Sequence, residues 1–165
     1  MTTDADREAL ARALDGRGEH ELLACDPALA DTTAFCAAYG FALEDSANTI
    51  VVAGKADPPV YAACVLLATH RLDVNRIVRA RLGTRRASFA SADETRALTG
   101  HELGGVTVFG LPAGLPVLVD AAVMDRPRIV LGGGSRRWKV LAPPTILLTI
   151  DGVEVVQGLA RPAAG

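Results

Sequence analysis

Bare backbone amides in glycine-rich loops are the groups of this sequence whose types and spacing could do chemistry. The stretch from Thr99 to Asp120 (TGHELGGVTVFGLPAGLPVLVD) places glycines and two prolines between short apolar runs. Paired glycines allow a ligand or another backbone to approach the chain closely. Asp120 follows an alternating apolar run, which is typical of a strand with an acid at its exit. The stretch is either a corner that only turns the chain or a loop that holds a ligand.

A second glycine-rich segment, Gly132 to Arg137 (GGGSRR), lies between two predicted strands. Its N–H groups could form a nest for phosphate beside the guanidinium groups of Arg136 and Arg137, or the segment could be a flexible hairpin turn. Six of the 17 basic residues lie between Arg71 and Arg86. They could follow a nucleic-acid backbone through phosphate contacts, or they could form a solvated helical face.

Other chemistries lack their sequence signatures. His20, His70 and His101 are far apart, and none has metal-ligand spacing with a cysteine or another histidine. The sequence contains no G-x-S-x-G elbow, no Walker loop and no GxGxxG fingerprint. We therefore predict no metal, no cofactor and no classical covalent hydrolysis.

Composition predicts one globular unit. The chain has 165 residues, of which 50% are hydrophobic and 22% charged. Three scattered cysteines are too few for a disulfide framework, residues 1–14 lack the apolar core of a signal peptide, and no apolar run approaches about 20 residues. We predict a cytoplasmic protein with no membrane or DNA partner, built as a helix or tail over 1–18, a domain over 19–160 and a tail over 161–165.

The elements that must position these loops alternate between strands and helices. Helices are predicted from Pro27 to Tyr39, from Asp73 to Leu82, and from the Ser91–Glu94 capping box to Gly100. Thr145–Ile150 fits a helix or a strand. The remaining apolar runs predict strands: His20–Cys25, a hairpin of Thr49–Ala53 and Val60–Thr69, Val106–Phe109, Pro116–Asp120, Arg128–Leu131, Trp138–Leu141 and Val153–Val156. The pattern favours an α/β chain of the α+β type, with a mixed sheet or partly closed barrel and flanking helices.

Several segments together resemble the YbaK/EbsC family. They are, in order, ANTIVVAGK, YAACVLLATHRLDVNRIVRARLG, RRASFAS, LTGHELGGVTVFGLP, LPVLVDAAV and LGGGSRRWKVLAPPTIL. That family comprises aminoacyl-tRNA deacylases and the related editing domain of bacterial prolyl-tRNA synthetase, and the resemblance spans roughly residues 20 to 160. It implies a barrel-like mixed sheet with helices around it. The implied activity is hydrolysis, in trans, of the ester that joins a wrong amino acid to the 3′ end of a tRNA.

The resemblance also implies where substrate binds. The family pocket lies between the glycine-rich loop, here Gly104 to Gly110, and the strand that here holds Asn48 and Thr49. The implied partners are the acceptor end of aminoacyl-tRNA and, in addition, an aminoacyl-tRNA synthetase. On this basis we predict catalytic roles for Asn48, Thr49, Gly104, Gly105 and Asp120. We predict substrate contacts by Thr107, Val108, Phe109, Gly110, Gly133, Gly134, Ser135 and Lys139, and tRNA contacts by Arg76, Arg79, Arg136 and Arg137.

Two positions depart from the family pattern. The family commonly has a lysine where this chain has Asn48, and a proline in the glycine-rich loop where this chain has Val108. Asparagine brings hydrogen-bonding groups but no positive charge. Lys55 is about 23 Å along an extended strand from Asn48, which leaves Lys139 as the candidate replacement.

The missing charge leaves three functions open. The first is a trans-acting editing hydrolase, the second is a binding module that kept the pocket without catalysis, and the third is hydrolysis of an ester other than aminoacyl-tRNA. The binding module would take aminoacyl-tRNA, a synthetase or a small metabolite. A lysine or arginine that reaches the region of Asn48 would favour catalysis, whereas a neutral pocket would favour binding.

Overall fold

The structure, a computed structural model, describes residues 3–163 and contains four α-helices, ten strands and several short helical turns in that range. The α-helices are α1 (Thr3–Leu14), α2 (Thr32–Tyr39), α3 (Arg79–Leu82) and α4 (Ala92–Thr99). The strands are β1 (Glu21–Ala24), β2 (Ala47–Gly54), β3 (Val60–Leu67), β4 (His70–Leu72), β5 (Ala87–Phe89), β6 (Val117–Asp120), β7 (Ile129–Gly132), β8 (Trp138–Ala142), β9 (Val153–Val156) and β10 (Ala160–Pro162). A π-helical turn (Val74–Val78) precedes α3, and 3-10 turns cover Pro27–Leu29, Leu43–Asp45, Ala121–Asp125 and Pro144–Thr149.

A five-stranded mixed sheet forms the centre of the molecule, with strand order β5-β2-β3-β6-β9. The predicted hairpin is confirmed, because β2 and β3 pair antiparallel from Ala47 with Leu67 to Gly54 with Val60. Strands β6 and β9 extend the sheet in parallel. From Ala62 to Leu67 the side chains of β3 are buried on both faces, which explains why this run is almost continuously apolar.

Two smaller sheets complete the strand arrangement. Strands β1, β8 and β7 form an antiparallel sheet, and β10 pairs antiparallel with β4. A single bridge between Ser46 and Val130 joins the start of β2 to the three-stranded sheet. The mixed α+β class with flanking helices is therefore confirmed, whereas the strands of the described range form three sheets and no closed barrel.

Helix ends follow the capping signals of the sequence. Ser91 and Glu94 form a reciprocal capping box at the start of α4, and the Asp73 carboxylate accepts a hydrogen bond from the Arg76 amide. Gly40 and Gly83 end α2 and α3 in the left-handed conformation. None of the helices over residues 3–163 is both long and apolar enough to cross a bilayer.

The core is divided by the five-stranded sheet. On one face the alternate β3 residues Ala63, Val65 and Leu67 pack with residues of α1, β7 and β8. On the other face, Ala62, Cys64 and Leu66 pack against the helical segment that includes Val78. A third cluster joins Phe35 of α2 to Val130 of β7, and both residues also line the cavity described below.

The predicted strand Val106–Phe109 is wrong. This run is buried but pairs with no strand in the described range. The Thr107 amide donates to Nδ1 of His101, and the Phe109 amide donates to the Thr107 hydroxyl, so side chains take the hydrogen bonds that a strand would give to a neighbour. Positive φ angles at Gly104 and Gly110 turn the chain on either side.

Two further differences lie near the C-terminus. Arg161 and Pro162, predicted as part of a tail, belong to β10, while residues 164 and 165 lie outside the described range. The segment Thr145–Ile150 forms mainly a 3-10 turn that begins after Pro143. Proline at the first helical positions suits this turn because it has no N–H to satisfy.

Candidate active site

A cavity of about 240 Å³ lies where the start of β2, the start of α2, the first glycine-rich loop and the three-stranded sheet meet. It brings together four of the predicted site residues, Asn48, Thr49, Gly104 and Lys139. These residues come from three separate segments, so only the tertiary fold brings them to one cavity.

Lys139 is the only basic side chain among the described residues that line the cavity. It projects from β8, is 5% exposed, and donates hydrogen bonds from Nζ to the carbonyl oxygens of Ala30 (2.8 Å) and Gly104 (2.9 Å). The ammonium also lies 5.7 Å from the ring centroid of Phe35, within cation–π range. Burial lowers the pKa of Lys139, because the charged form loses its hydration. Lys139 thus holds the glycine-rich loop against the segment that precedes α2.

Asn48 is held by a side chain of the opposite cavity wall. The Thr32 hydroxyl donates to Asn48 Oδ1 at 2.7 Å. This bond uses the amide oxygen and leaves the two N–H donors of Nδ2, which form no hydrogen bond within the described part of the chain. Asn48 can therefore donate to a ligand whose acceptor atom enters the cavity.

Thr49 lines the same cavity and is 8% exposed. Its hydroxyl is buried and has no hydrogen-bond partner among the described residues. A buried hydroxyl without a partner is unfavourable unless a water molecule or ligand satisfies it. The Thr49 hydroxyl is consequently an unsatisfied polar group in the wall of the cavity.

The two glycine-rich loops pack backbone against backbone beside the cavity. The Gly134 amide donates to the Gly105 carbonyl at 2.5 Å. A Cβ on Gly105 would lie within 3.0 Å of the Ser135 carbonyl, and one on Gly132 within 3.0 Å of the Val106 carbonyl. Glycine is required at these positions because any side chain would separate the loops. The close packing fixes the backbone of the first loop where Gly104 and Val106 line the cavity.

Most of the other predicted substrate contacts lie in a second cleft. Thr107, Phe109, Gly110, Gly133, Gly134 and Ser135 line a cleft of about 260 Å³ beneath α1, together with His101. Val108 lines a third surface depression, and Gly105 is among the lining residues of neither the cavity nor this cleft. Burial lowers the pKa of His101, and its Nδ1 accepts from the Thr107 amide, so its ring is a neutral acceptor within the loop.

Asp120 lies away from the cavity, at the end of β6. Its carboxylate is 2% exposed, and Oδ1 accepts a hydrogen bond from the Ala160 amide at 3.1 Å. Its second oxygen is buried without a partner among the described residues. Asp120 therefore anchors the first amide of β10 and is not a lining residue of the cavity, unlike the catalytic position predicted for it.

The predicted arginines divide into two groups. Arg136 lies beside the cavity, where Nε donates to the Pro27 carbonyl and one terminal nitrogen donates to the Leu103 carbonyl. Arg137 follows it, with its backbone amide bound to the Ser135 hydroxyl. Arg76 and Arg79 lie in the helical segment across the central sheet: Arg76 pairs with Asp73, and Arg79 donates to the carbonyls of Asn75 and Thr84.

Sequence reasoning missed the cavity wall supplied by the start of α2. Asp31, Thr32 and Phe35 all line the cavity. The Asp-Thr-Thr run carries an ordinary helix-start signal, and nothing in its spacing to Asn48 indicates the contact that Thr32 makes. Ser46 and Val130, which bridge the two sheets at the cavity, also lacked a signal.

Comparisons with known proteins bear on the family and on the fold. A sequence model of the aminoacyl-tRNA editing domain matches residues 26–148. The chain is similar to a solved hypothetical protein named APE2540, with a TM-score of 0.79 and 23% identity over 94% of this chain and 99% of that one. It is equally similar to a solved candidate trans-editing enzyme for prolyl-tRNA synthetase, with a TM-score of 0.79 and 23% identity over 95% of this chain and 98% of that one. At this identity the two structures establish the fold alone.

Proposed function

The chain belongs to the aminoacyl-tRNA editing domain family, and from that membership we propose that it acts in trans to hydrolyse the ester bond of a mischarged tRNA. Support for action in trans comes from the solved candidate trans-editing enzyme, whose chain is matched over 98% of its length. The proposed partner is the acceptor end of aminoacyl-tRNA. An association with a synthetase is a further prediction that the name of that neighbour supports.

The observation that carries the proposal is that Lys139 lines the same cavity as Asn48. The family lysine is absent from position 48, yet a positive charge reaches the cavity from β8. Two of the three ammonium donors bind backbone carbonyls, and the charge remains beside the loop that would hold the ester. By the criterion set out from the sequence, this arrangement favours catalysis over a neutral binding pocket.

The cavity offers the groups that ester hydrolysis requires. Water adds to the ester carbonyl carbon, and the oxygen of the resulting tetrahedral species becomes negatively charged. Preorganised N–H donors stabilise such an oxyanion, and we assign this role to the Nδ2 amide of Asn48 and to the backbone N–H of Gly104. The carbon–oxygen bond to the ribose then breaks, and the ribose oxygen takes one proton of the water. The other proton passes to solvent, and the amino acid leaves as its carboxylate.

We propose that Thr49 positions the attacking water. Its hydroxyl is buried at the cavity and has no partner among the described residues. Rotation of this side chain towards the cavity would let the hydroxyl bind a water molecule and hold it in place for attack. This role needs no covalent intermediate on the protein.

Arg136 and Arg137 are the proposed contacts for the acceptor end of tRNA. They follow the second glycine-rich loop, and Arg136 already borders the cavity through the Leu103 carbonyl. Phosphate contacts by guanidinium groups position a nucleic acid without reading its sequence. Arg76 and Arg79 lie across the central sheet from these groups, and their contact with tRNA stays a prediction.

A binding module without catalysis is the second candidate. The observation that favours it is that Lys139 donates two hydrogen bonds to backbone carbonyls. In this candidate function its ammonium only joins the first glycine-rich loop to the segment before α2. In that case aminoacyl-tRNA would bind in the cavity and keep its ester.

The test is to incubate the purified protein with a panel of mischarged tRNAs, small amino acids first, and to follow amino-acid release. We expect release from at least one of them at a rate well above spontaneous hydrolysis. Filter binding of the same tRNAs separates the two candidates. Binding without release from any tRNA would favour the binding module and would refute the editing assignment.

A further inference from the structure

Asp31 is the only acidic side chain among the described residues that line the cavity. It occupies the N-cap position of α2, yet its side chain accepts no capping hydrogen bond. Other helix-start residues of the chain do use their side chains in this way, as Asp26 does with the Ala28 amide and Asp73 with the Arg76 amide. The Asp31 carboxylate therefore does not cap α2, although it occupies the capping position.

The Asp31 carboxylate also lacks an ion-pair partner. It forms no salt bridge within 4.0 Å of a cation in the described part of the chain, and it is exposed at the cavity. Lys139 lines the same cavity, but its ammonium donates to the carbonyls of Ala30 and Gly104 and forms no ion pair with Asp31. The cavity thus presents a negative charge that forms no ion pair with any residue of the described range.

The other polar groups of the cavity cannot bind a cation as strongly. Thr32, Asn48 and Thr49 are neutral, and Asn48 already accepts from Thr32 through its only side-chain oxygen. An aminoacyl ester carries an α-ammonium group close to the carbonyl carbon that water attacks. A carboxylate forms its strongest hydrogen bonds with such charged donors.

We propose that Asp31 binds the α-ammonium group of the aminoacyl moiety and thereby makes the site selective for esters of amino acids with a free amine. The inference rests on the proposed function for the identity of the substrate, and it adds a specificity determinant. With the amine at Asp31, the ester carbonyl lies in the region of Asn48 and Gly104, which line the same cavity. An N-acylated aminoacyl group has no positive charge and loses this contact.

The test uses tRNA whose 3′-terminal 3′-amino-3′-deoxyadenosine carries alanine through an amide, which resists hydrolysis, and the same tRNA with the alanine N-acetylated. Binding of both is measured for the wild type, for Asp31→Asn and for Asp93→Asn. Asp93 is a matched control because it is an exposed aspartate in the first turn of α4 and is not a lining residue of the cavity. Thermal unfolding of each variant shows that it is folded.

We expect the wild type to bind the free-amine form about three- to fivefold more tightly than the acetylated form, which is the ratio that an ion pair at an exposed site supplies. Asp31→Asn should remove this preference by weakening only the free-amine form, and Asp93→Asn should keep it. Equal affinity of the wild type for the two forms, or no binding of either, overturns the inference. Equal weakening of both forms by Asp31→Asn also overturns it, because a merely structural role would give that result.

Because this assay measures binding, its outcome is separate from that of the deacylation assay. A wild-type protein that prefers the free amine but releases no amino acid would refute the editing function and support the role of Asp31. A protein that deacylates tRNA without the preference would do the reverse.

Discussion

Replacement of Lys139 by methionine tests the central feature of the site. Methionine keeps most of the length and volume of the side chain and removes the ammonium. The Ala30 and Gly104 carbonyls then lose the donor that joins them. The substitution therefore separates the loop from the segment before α2 without opening a large cavity.

The expected loss of stability follows from where the two carbonyls lie. Ala30 is 0% exposed, so its carbonyl would remain unsatisfied at a cost of about 1–3 kcal/mol. Gly104 is exposed, and water can replace the lost donor there. Release of the desolvated charge offsets part of the cost. We expect the free energy of unfolding to fall by about 2 kcal/mol or less, which most domains tolerate.

The expected loss of activity is larger. The backbone N–H of Gly104 is one of the proposed oxyanion donors, and Lys139 holds this part of the loop through the Gly104 carbonyl. Loss of a single preorganised donor typically costs about 10²–10³-fold in rate. We expect kcat/KM for deacylation to fall by about 100-fold or more in Lys139→Met. The assay is amino-acid release from the best tRNA of the panel, with urea unfolding measured on the same preparations.

Lys55 provides the matched control because it is the only other lysine of the chain. It lies in the turn of the β2–β3 hairpin and is not a lining residue of the cavity. Lys55→Met should retain deacylation within about threefold of the wild type. The reasoning would be refuted if Lys139→Met, folded by the same measurements, also stayed within that range.

Three further predictions test separate parts of the structure. Burial lowers the pKa of Lys139 below its ordinary 10.5, so the folded state binds this proton less tightly than the unfolded chain. Relative to Lys139→Met, the free energy of unfolding of the wild type, measured by urea titration, should therefore rise as the pH rises from the lowered pKa towards 10.5. A rise on acidification would contradict this prediction. Asp120→Ala should lose about 1–3 kcal/mol of stability because the buried Ala160 amide loses its acceptor, while kcat/KM stays within about threefold of the wild type. Asp120→Asn should keep the wild-type stability and activity. A large loss of activity in the stable Asp120→Asn variant would instead indicate a catalytic role for Asp120. Gly105→Ala should lower the free energy of unfolding by about 1–3 kcal/mol and reduce deacylation, because its Cβ would clash with the Ser135 carbonyl. Gly114→Ala is the control: its φ of +86° strains an alanine, but its Cβ would contact no other residue. It should keep the wild-type activity in the same assay.

Local signals in the sequence predicted most of the elements. The turn residues GKADPP gave the hairpin, and the Ser91–Glu94 spacing gave the start of α4, because both depend on residues a few positions apart. The strand prediction for Val106–Phe109 was wrong because apolar side chains indicate burial and do not indicate pairing with a neighbouring strand. Burial came from the packing of two glycine-rich loops that are about 30 residues apart in sequence, and no local pattern reports such packing.

The resemblance of motifs identified the loop and the strand of the site but could not arrange them. It grouped Gly104 with Gly133 and Ser135, whereas the structure places these residues on different sides of the packed loops. A glycine that allows a close approach of two backbones has the same sequence signature as one that exposes an amide to a ligand. Only the neighbouring atoms distinguish the two roles, as the Ser135 carbonyl does at Gly105.

The position of the lysine shows why a single departure from a family motif is weak evidence about charge. Lys139 pairs with Leu23 of β1 and Gly132 of β7, and the three-stranded sheet meets β2 at the bridge between Ser46 and Val130. This register carries the ammonium to the cavity that Asn48 lines. Because electrostatic stabilisation depends on the position of a charge and not on the strand that supplies it, Lys139 on β8 can give the cavity a cation that Asn48 on β2 does not carry.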